Sequence, residues 1–469
     1  MKKIFIVLCV VLIVACMLPF HYVFSAESDF VIDGGVLYSY KGTATNITIP
    51  ATAHSIAESA FEGNTKIKTV KFHSGLYSIG DKAFSGCTSL ATISGDSAVN
   101  YVGALAFNNT KFLTDSNTEF LKVGSVLVSY NGTASSVTLP SDIKTIAPYA
   151  FVRNKKISSF TCGDNLTTIS EGAFYECSSL SAVSVKKSVS YIGPDAFYGT
   201  KWLSSKSGFV TLSDGILIAY KGSATDVTIP DTVKQIAPNA FYGNTSLVSV
   251  SVPSSVFAIG QRAFYNCTKL SRVSFDKGLK IINDEAFANC SGLTEFVAPV
   301  TLSAVGKGAF INCTGLNTAV LMGDNLSIGY GAFAYCQSLD CVLVSKNVVK
   351  ISDYAFKDNP KLSHISVPKT VTTLSKNAFD GNKNITLICD ENSTADELLS
   401  SSHKVIYTRG DACNDGTVDI LDATFIQRFL AGVRTMSGAN KVLSDVDLDS
   451  NISVMDATYI QRMLAGLVK

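Results

Sequence analysis

Charge is scarce in this sequence. Lys, Arg, Asp and Glu make up 16% of 469 residues, against the roughly 25% usual for soluble domains. The formal net charge is +1, so no field of one sign draws nucleic acid or an anionic membrane. Ser, Thr, Asn and Gly carry the polar surface instead. Histidine is scarce too: His21, His54, His73, His364 and His403 have no neighbours at metal-ligand or triad-like spacing. No Gly-rich phosphate loop and no H-E-x-x-H string occurs. These absences remove the recognisable catalytic sets, and the chain is expected not to be an enzyme. Trp202 is the only tryptophan, which weakens an aromatic platform for sugars, although 18 tyrosines keep that option open.

What is present begins with MKKIFIVLCVVLIVACMLPFHYVFSAES. Lys2 and Lys3 precede an apolar run over residues 4–18, and small residues follow near Ala26. The run is shorter than the ~20 residues of a spanning helix. We expect a secretory signal over residues 1–26 and an exported mature chain with no membrane span. The string at residues 13–16 resembles a lipobox, so lipidation at Cys16 is the alternative to cleavage near Ala26.

An Ala-Phe pair or a close variant then recurs. Successive phenylalanines from Phe61 to Phe379 are 23 residues apart, except for intervals of 44 between Phe107 and Phe151 and between Phe197 and Phe241. A fixed period of this size marks a solenoid, whose units bury their apolar faces only against neighbours. In AIGQRAFYNCTKLSRVSF the Leu270, Val273 and Phe275 part alternates and predicts a short strand. The Ile-Gly-x-x-Ala-Phe part predicts a turn and a short helical bend. One strand per unit should form a parallel sheet. Segments from Phe30, Phe120 and Phe209 carry two alternating runs around Tyr-Lys/Asn-Gly, which predicts a β-hairpin with its turn at that Gly. Cys87, Cys177, Cys267, Cys290, Cys313 and Cys336 each lie three residues after the marker Phe, where other units carry Asn64, Asn154, Asn244, Asn359 and Asn382. That exchange predicts an inward ladder bonding the loop backbone, with disulfides between units as the alternative. After Phe379 a strand, a helix over 394–401 and a strand over 405–407 predict a cap.

Strings such as residues 79–90 and 259–270, Ile-Gly-x-x-Ala-Phe-x-x-Cys-x-x-Leu, resemble BspA-like leucine-rich repeats of bacterial surface proteins. The resemblance implies adhesion or binding without naming a partner. On the outward strand face most residues are small and hydroxylic. Val297, Val320 and Leu343 differ, and should form an apolar stripe over three consecutive units. The stripe is either a ligand patch or a surface covered by another segment of the chain.

The C-terminus is doubled. Asp422-Ala-Thr is echoed 34 residues later at Asp456-Ala-Thr. Twelve-residue stretches precede both, DACNDGTVDILD and DVDLDSNISVMD, with oxygen donors at positions that suit Ca²⁺. The first offers Asp411, Asp415, the Thr417 carbonyl, Asp419 and Asp422. The second offers Asp445, Asp447, Asp449, the Asn451 carbonyl, Ser453 and Asp456. Cys413 stands at position 3 of the first, a soft atom for a hard cation. Gly416 gives the first loop its sharp turn, and Ser450 holds that place in the second. Two Ca²⁺ sites are expected, each followed by a helix and neither preceded by one. The paired DATxIQRxLAG strings and loops resemble a type I dockerin over residues 409–469. The resemblance implies calcium-dependent folding and docking to a cohesin domain of a scaffoldin. It places Ile420, Leu421, Gln427, Arg428, Val454, Met455, Gln461 and Arg462 at the cohesin. The apolar residues at 420–421 and 454–455 depart from the Ser-Thr pair common in some dockerins. No Pro/Thr-rich linker precedes Asp411, so the module should sit close to the array.

The fold expected is an α/β-type repeat solenoid with a parallel strand per repeat and β-hairpin insertions over residues 27–408, plus a small all-α calcium-binding module. The function expected is secreted, non-catalytic binding of a protein or glycan by the array, on a chain monomeric before docking to a cellulosome or cell surface. The rivals are a dockerin-borne polysaccharide-degrading component with an unrecognised site, and a passive spacer.

Overall fold

The 23-residue spacing of the phenylalanines is one coil of a parallel β-solenoid in the computed structural model, which describes residues 27–382, 385–407, 409–413 and 417–468. The expected signal lies outside these residues. The chain divides into two compact units, Met1–Asn131 and Gly132–Lys469.

In the first unit, strands Asn46–Thr48, Thr69–Lys71 and Thr92–Ser94 pair in parallel. The register places Ile47, Val70 and Ile93 side by side. A second sheet runs through Val36–Tyr40, Ser55–Ile56, Ser78–Ile79 and Tyr101–Val102. Each coil therefore holds two strands, not the one expected. The Ile before each Gly is extended because its buried backbone groups find partners only in the coils above and below. Gly80 shows how tight this contact is. A Cβ there would stand 2.6 Å from the Glu58 nitrogen of the coil before it.

The second unit repeats the plan. Strands Gln235–Ile236, Ala258–Ile259, Ile281–Ile282, Ala304–Val305, Leu326–Ile328, Val348–Ile351 and Thr373–Leu374 follow one another in one sheet. The marker phenylalanines from Phe241 to Phe379 stack ring on ring at 4.6–5.8 Å. Each buried ring contributes about 1.5–3 kcal/mol of apolar burial.

The cysteine ladder has the expected role. Each Sγ donates to the carbonyl of the marker Phe one coil back, at 2.9–3.3 Å. Asn359 and Asn382 take over with Nδ2 donating to the same kind of carbonyl, at 3.0 and 2.8 Å. All ten described cysteines are free thiols. Burial pushes Cys267 up to about 12 and raises the other ladder thiols as well, so the ladder thiols are structural.

The hairpins exist, but their turns lie elsewhere. Phe30–Asp33 pairs antiparallel with Val36–Tyr40, and the turn is Gly34–Gly35, both at positive φ. Phe209–Leu212 pairs with Ile216–Tyr220 in the same way. The run after Tyr-Lys-Gly pairs in parallel with the next coil, so it belongs to the other sheet. The tyrosine of that string enters the ring ladder, with Tyr220 stacked on Phe241 at 5.1 Å.

Helices α1 (Lys111–Thr114) and α2 (Lys201–Ser204) precede hairpins. The cap forms as strand Thr386–Cys389, α3 (Thr394–Leu399) and strand Lys404–Ile406. Three helices follow: α4 (Ile420–Leu430), α5 (Gly438–Ser444) and α6 (Val454–Leu464). The expectation that no helix precedes either loop is corrected for the second, where α5 ends directly on Asp445. Among the described residues no helix is long and apolar enough to cross a membrane.

Candidate calcium loops and docking faces

Helices α4 and α6 pack on one another around Ala423, Phe425, Ile426, Ala457 and Ile460. Both start with the same device. Asp419 and Ser453 cap the helices, and the third helical residue reaches back to form a capping box. In the first, Asp422 accepts from the Asp419 and Cys413 N–H groups at 2.8 and 2.9 Å. In the second, Asp456 accepts from Ser453 and Val446 at 2.8 and 2.9 Å. Each fully buried carboxylate ties the start of its loop to the end.

The second loop gathers oxygen. Carboxylate oxygens of Asp445, Asp447 and Asp449 lie within 4.8 Å of one another. Burial, then Asp456, Asp449 and Asp447, push the Asp445 carboxyl up to about 8. Burial pushes Asp456 up to about 6, against the pull of its backbone hydrogen bonds. Crowded, desolvated carboxylates of this kind suit a hard divalent cation. The loop bends through Leu448 and Ser450 at positive φ. Ser450 N–H donates to both Asp445 oxygens, at 3.3 and 3.2 Å. Asp449 accepts from Asn451 N–H at 2.8 Å, and Ser453 Oγ is engaged by Met455 N–H at 3.0 Å.

The first loop is poorer. Asp411, Cys413 and Asp422 bring one ligand atom each within 4.8 Å, and Cys413 Sγ stands 4.0 Å from Asp411 Oδ1. Asp419 is occupied in part by its cap bond from Leu421 N–H, at 2.6 Å. Thr417 is exposed, and Asp415 and Gly416 lie outside the described residues.

Above the loops two apolar faces are open. Ile420 and Leu421 are 54% and 59% exposed, and their counterparts Val454 and Met455 are 60% and 61% exposed. Leu430 and Val433, matched by Leu464 and Leu467, extend each face, and were not singled out from the sequence. Their signal was the same 34-residue offset. Gln427, Arg428, Gln461 and Arg462 are exposed beside them.

The stripe expected as a ligand patch is different. Val320 and Leu343 are buried, packed with Cys341 and Ile388 against Val442 and Leu443 of α5. Only Val297 remains exposed. The ligand-patch reading is therefore corrected: the covering segment is the chain's own C-terminal module. Gly438 permits the approach, because a Cβ there would stand 2.2 Å from the Asp340 carbonyl. Lys346 N–H donates to the Leu448 carbonyl at 3.1 Å, and Arg409 pairs with Asp390 at 3.2 Å. The module sits on the array, as the missing linker implied.

Comparison with known proteins agrees with this division. A model of the BspA type leucine rich repeat region matches residues 35–126, 122–208, 218–340 and 317–396, in six copies. A model of the dockerin type I domain matches residues 409–465. Among solved structures, a leucine rich cell surface protein from Faecalibacterium prausnitzii is 21% identical, with 68% of this chain and 93% of that one covered and a TM-score of 0.32. The leucine rich repeat protein of T. pallidum is 32% identical, with 39% and 82% covered and a TM-score of 0.31. The pneumococcal vaccine antigen PcpA is 18% identical, with 81% and 96% covered and a TM-score of 0.35. No curated protein matches.

Proposed function

We propose that this chain, which belongs to the BspA-type leucine-rich repeat family and carries a C-terminal dockerin type I domain, is an exported, non-catalytic binding protein. Its signal would be residues 1–26, its array residues 27–408 and its docking module residues 409–469. The array binds a partner, and the module anchors the chain to a scaffoldin cohesin, within a cellulosome or at a cell surface.

The observation that carries the docking reading is the pair of exposed apolar faces at Ile420–Leu421 and Val454–Met455, 34 residues apart on equally capped helices. Monomeric proteins seldom leave such residues open without a partner. Dockerin type I domains bind calcium. Here Asp445, Asp447, Asp449, the Asn451 carbonyl, Ser453 and Asp456 would hold one ion. Asp411, Asp415, the Thr417 carbonyl, Asp419 and Asp422 would hold a second. Calcium supplies neutralisation of the crowded carboxylates. The chain's own residues do the rest: the capping boxes fix each loop to its helix, and the helices present the faces.

Two equivalent faces give two docking orientations. Gln427-Arg428 and Gln461-Arg462, each replaced by Ala-Ala, test this against a panel of type I cohesins. Each double variant alone should retain binding, and the quadruple variant should lose it. Loss with one pair alone overturns the dual mode. Binding that survives a calcium chelator overturns the calcium reading. Release of reducing sugar from polysaccharide by the purified chain would favour an enzyme.

A further inference from the structure

We propose that the array binds a pyranose ring of a glycan in a slot between Tyr198 and Tyr242. The proposal names a ligand class for the array and rests on its reading as a binding surface. Tyrosine follows the marker Phe in four successive bends, as Tyr175, Tyr198, Tyr242 and Tyr265. Tyr175 and Tyr198 stack at 5.1 Å, and Tyr242 and Tyr265 stack at 5.2 Å. The two stacked pairs are separated by the 44-residue interval.

One layer of the coil fills that interval. Strand Ile216–Tyr220 lies beside Tyr191–Ile192 and pairs with Gln235–Ile236. Its bend is cut short. Leu217 pairs with Ile236. Yet Leu217 is nine residues from the next strand, at Asp226, whereas Ile236 is thirteen from its own, at Ser249. The short bend reads Ala219-Tyr220-Lys221: Tyr220 takes the marker place in the ring ladder, and Lys221, not a ring, follows at the place that Tyr198 and Tyr242 hold in their layers. Gly222 makes the cut possible, because a Cβ there would stand 2.3 Å from the Tyr220 hydroxyl.

The missing ring leaves a slot of defined width. Layers repeat at about 4.8 Å, so the two ring centres, two layers apart, stand about 10 Å apart. Tyr175 covers one face of Tyr198, and Tyr265 covers one face of Tyr242. Tyr198 and Tyr242 are both half exposed, at 53% and 51%. Both line a cavity of about 500 Å³, within the usual range for ligand sites. Asp195, Asn239, Lys221 and Arg262 line it. Asn239 Nδ2 donates to Asp195 Oδ2 at 3.1 Å across the inserted layer.

The width selects the guest. A flat ring in contact with both tyrosines, at about 3.5–4.0 Å on each side, spans only about 7–8 Å. A puckered pyranose carries C–H groups on both faces and fills the larger gap. Carboxylate, amide and ammonium groups beside the rings suit its hydroxyls. At the other 44-residue interval the equivalent positions hold Asn108 and Val152, so the aromatic pair belongs to this interval.

The test uses the full mature chain and three probes: cellohexaose, xylohexaose and mannohexaose. Trp202, the only tryptophan, packs on Phe197 at 5.1 Å, one residue before the slot-lining Leu203. Its emission, with calorimetry, reads occupancy. At least one hexasaccharide should bind with a Kd below millimolar. Tyr198→Ala and Tyr242→Ala should each weaken it at least tenfold, and Tyr242→Phe should retain it within about threefold, because the ring face and not the hydroxyl makes the contact. No binding of any probe, unchanged binding in both Ala variants, or preferential uptake of N-acetyltryptophanamide overturns the proposal. Cohesin docking is measured on the same samples. Docking without sugar binding overturns this inference alone. Sugar binding without docking overturns only the anchoring reading.

Discussion

The loop at residues 411–422 and the loop at residues 445–456 share a length, a capping box and a following helix, but their surroundings differ. The second begins where α5 ends, and α5 is pressed into the array through Val442 and Leu443. Its Leu448 carbonyl is bonded by Lys346 N–H of the array. The first loop reaches the array through charge: burial lowers the pKa of His364, and Asp411 lies near enough to raise it against that burial. Arg409 before it pairs with Asp390, and Gly410 N–H donates to Leu443 of α5 at 3.2 Å. The exposed apolar faces have stayed equivalent while the loops have diverged. A duplicated module that must also be fixed to its own chain spends one copy's flank on that attachment. The other copy carries a thiol, Cys413, beside Asp411 in its loop.

Asp456→Ala breaks this asymmetry most severely. It removes the acceptor of two backbone N–H bonds at a buried site. Unpaired buried donors cost about 1–3 kcal/mol each, so the module should lose roughly 3–5 kcal/mol of stability. Calorimetry should record one calcium equivalent fewer. Asp422→Ala should cost a similar amount in its own half. Hydrogen exchange separates them: Asp456→Ala should lower protection of strand Cys341–Val344, and Asp422→Ala should leave it intact.

Leu443→Asp attacks the attachment alone. It sets a carboxylate against Val320, Leu343 and Ile388, at a cost of about 3 kcal/mol. Limited proteolysis around residues 407–420 should accelerate, while calcium stoichiometry stays unchanged. Equal cleavage rates in variant and parent would show that α5 does not hold the module.

The contrast between loops also marks what was legible in the sequence. Each twelve-residue loop and the capped helix after it could be read because their signals fall in a short contiguous stretch. The ring and cysteine ladders could be read because each coil repeats the same contact 23 residues on. Two-residue strands such as Ala258–Ile259 could not, since two residues carry no period. The Tyr-Lys-Gly string has turn chemistry, but only the coil that it pairs with shows that it changes sheets. Helix α5 spans seven residues, too few for a periodic signal. Its burial of Leu343 by Leu443 joins positions a hundred residues apart, and nothing local in either segment announces the other.

Cys413→Asp should narrow the gap between the loops. A carboxylate at position 3 replaces a soft atom with a hard oxygen beside Asp411. Affinity of the first site should rise about tenfold, or roughly 1.4 kcal/mol, with the second site unchanged. Calorimetry on the single variant and on Cys413→Asp with Asp456→Ala isolates the two steps. No gain in the first site would mean that Cys413 is not at the ion.

Ser450→Gly is the mildest change and tests the backbone side of the comparison. Ser450 sits at φ +65°, a left-handed conformation that glycine adopts without a Cβ penalty. Its Oγ is buried without a hydrogen-bond partner among the described residues. Glycine removes both liabilities and leaves the N–H that Asp445 accepts. Against this stands the greater freedom of glycine in the unfolded chain. The first two effects should win by about 1 kcal/mol, read as a higher midpoint in denaturant at fixed calcium. A lower midpoint would mean that the serine hydroxyl takes part in the calcium-bound loop. The second loop would then owe its form to a ligand that the first, with glycine at that place, does without.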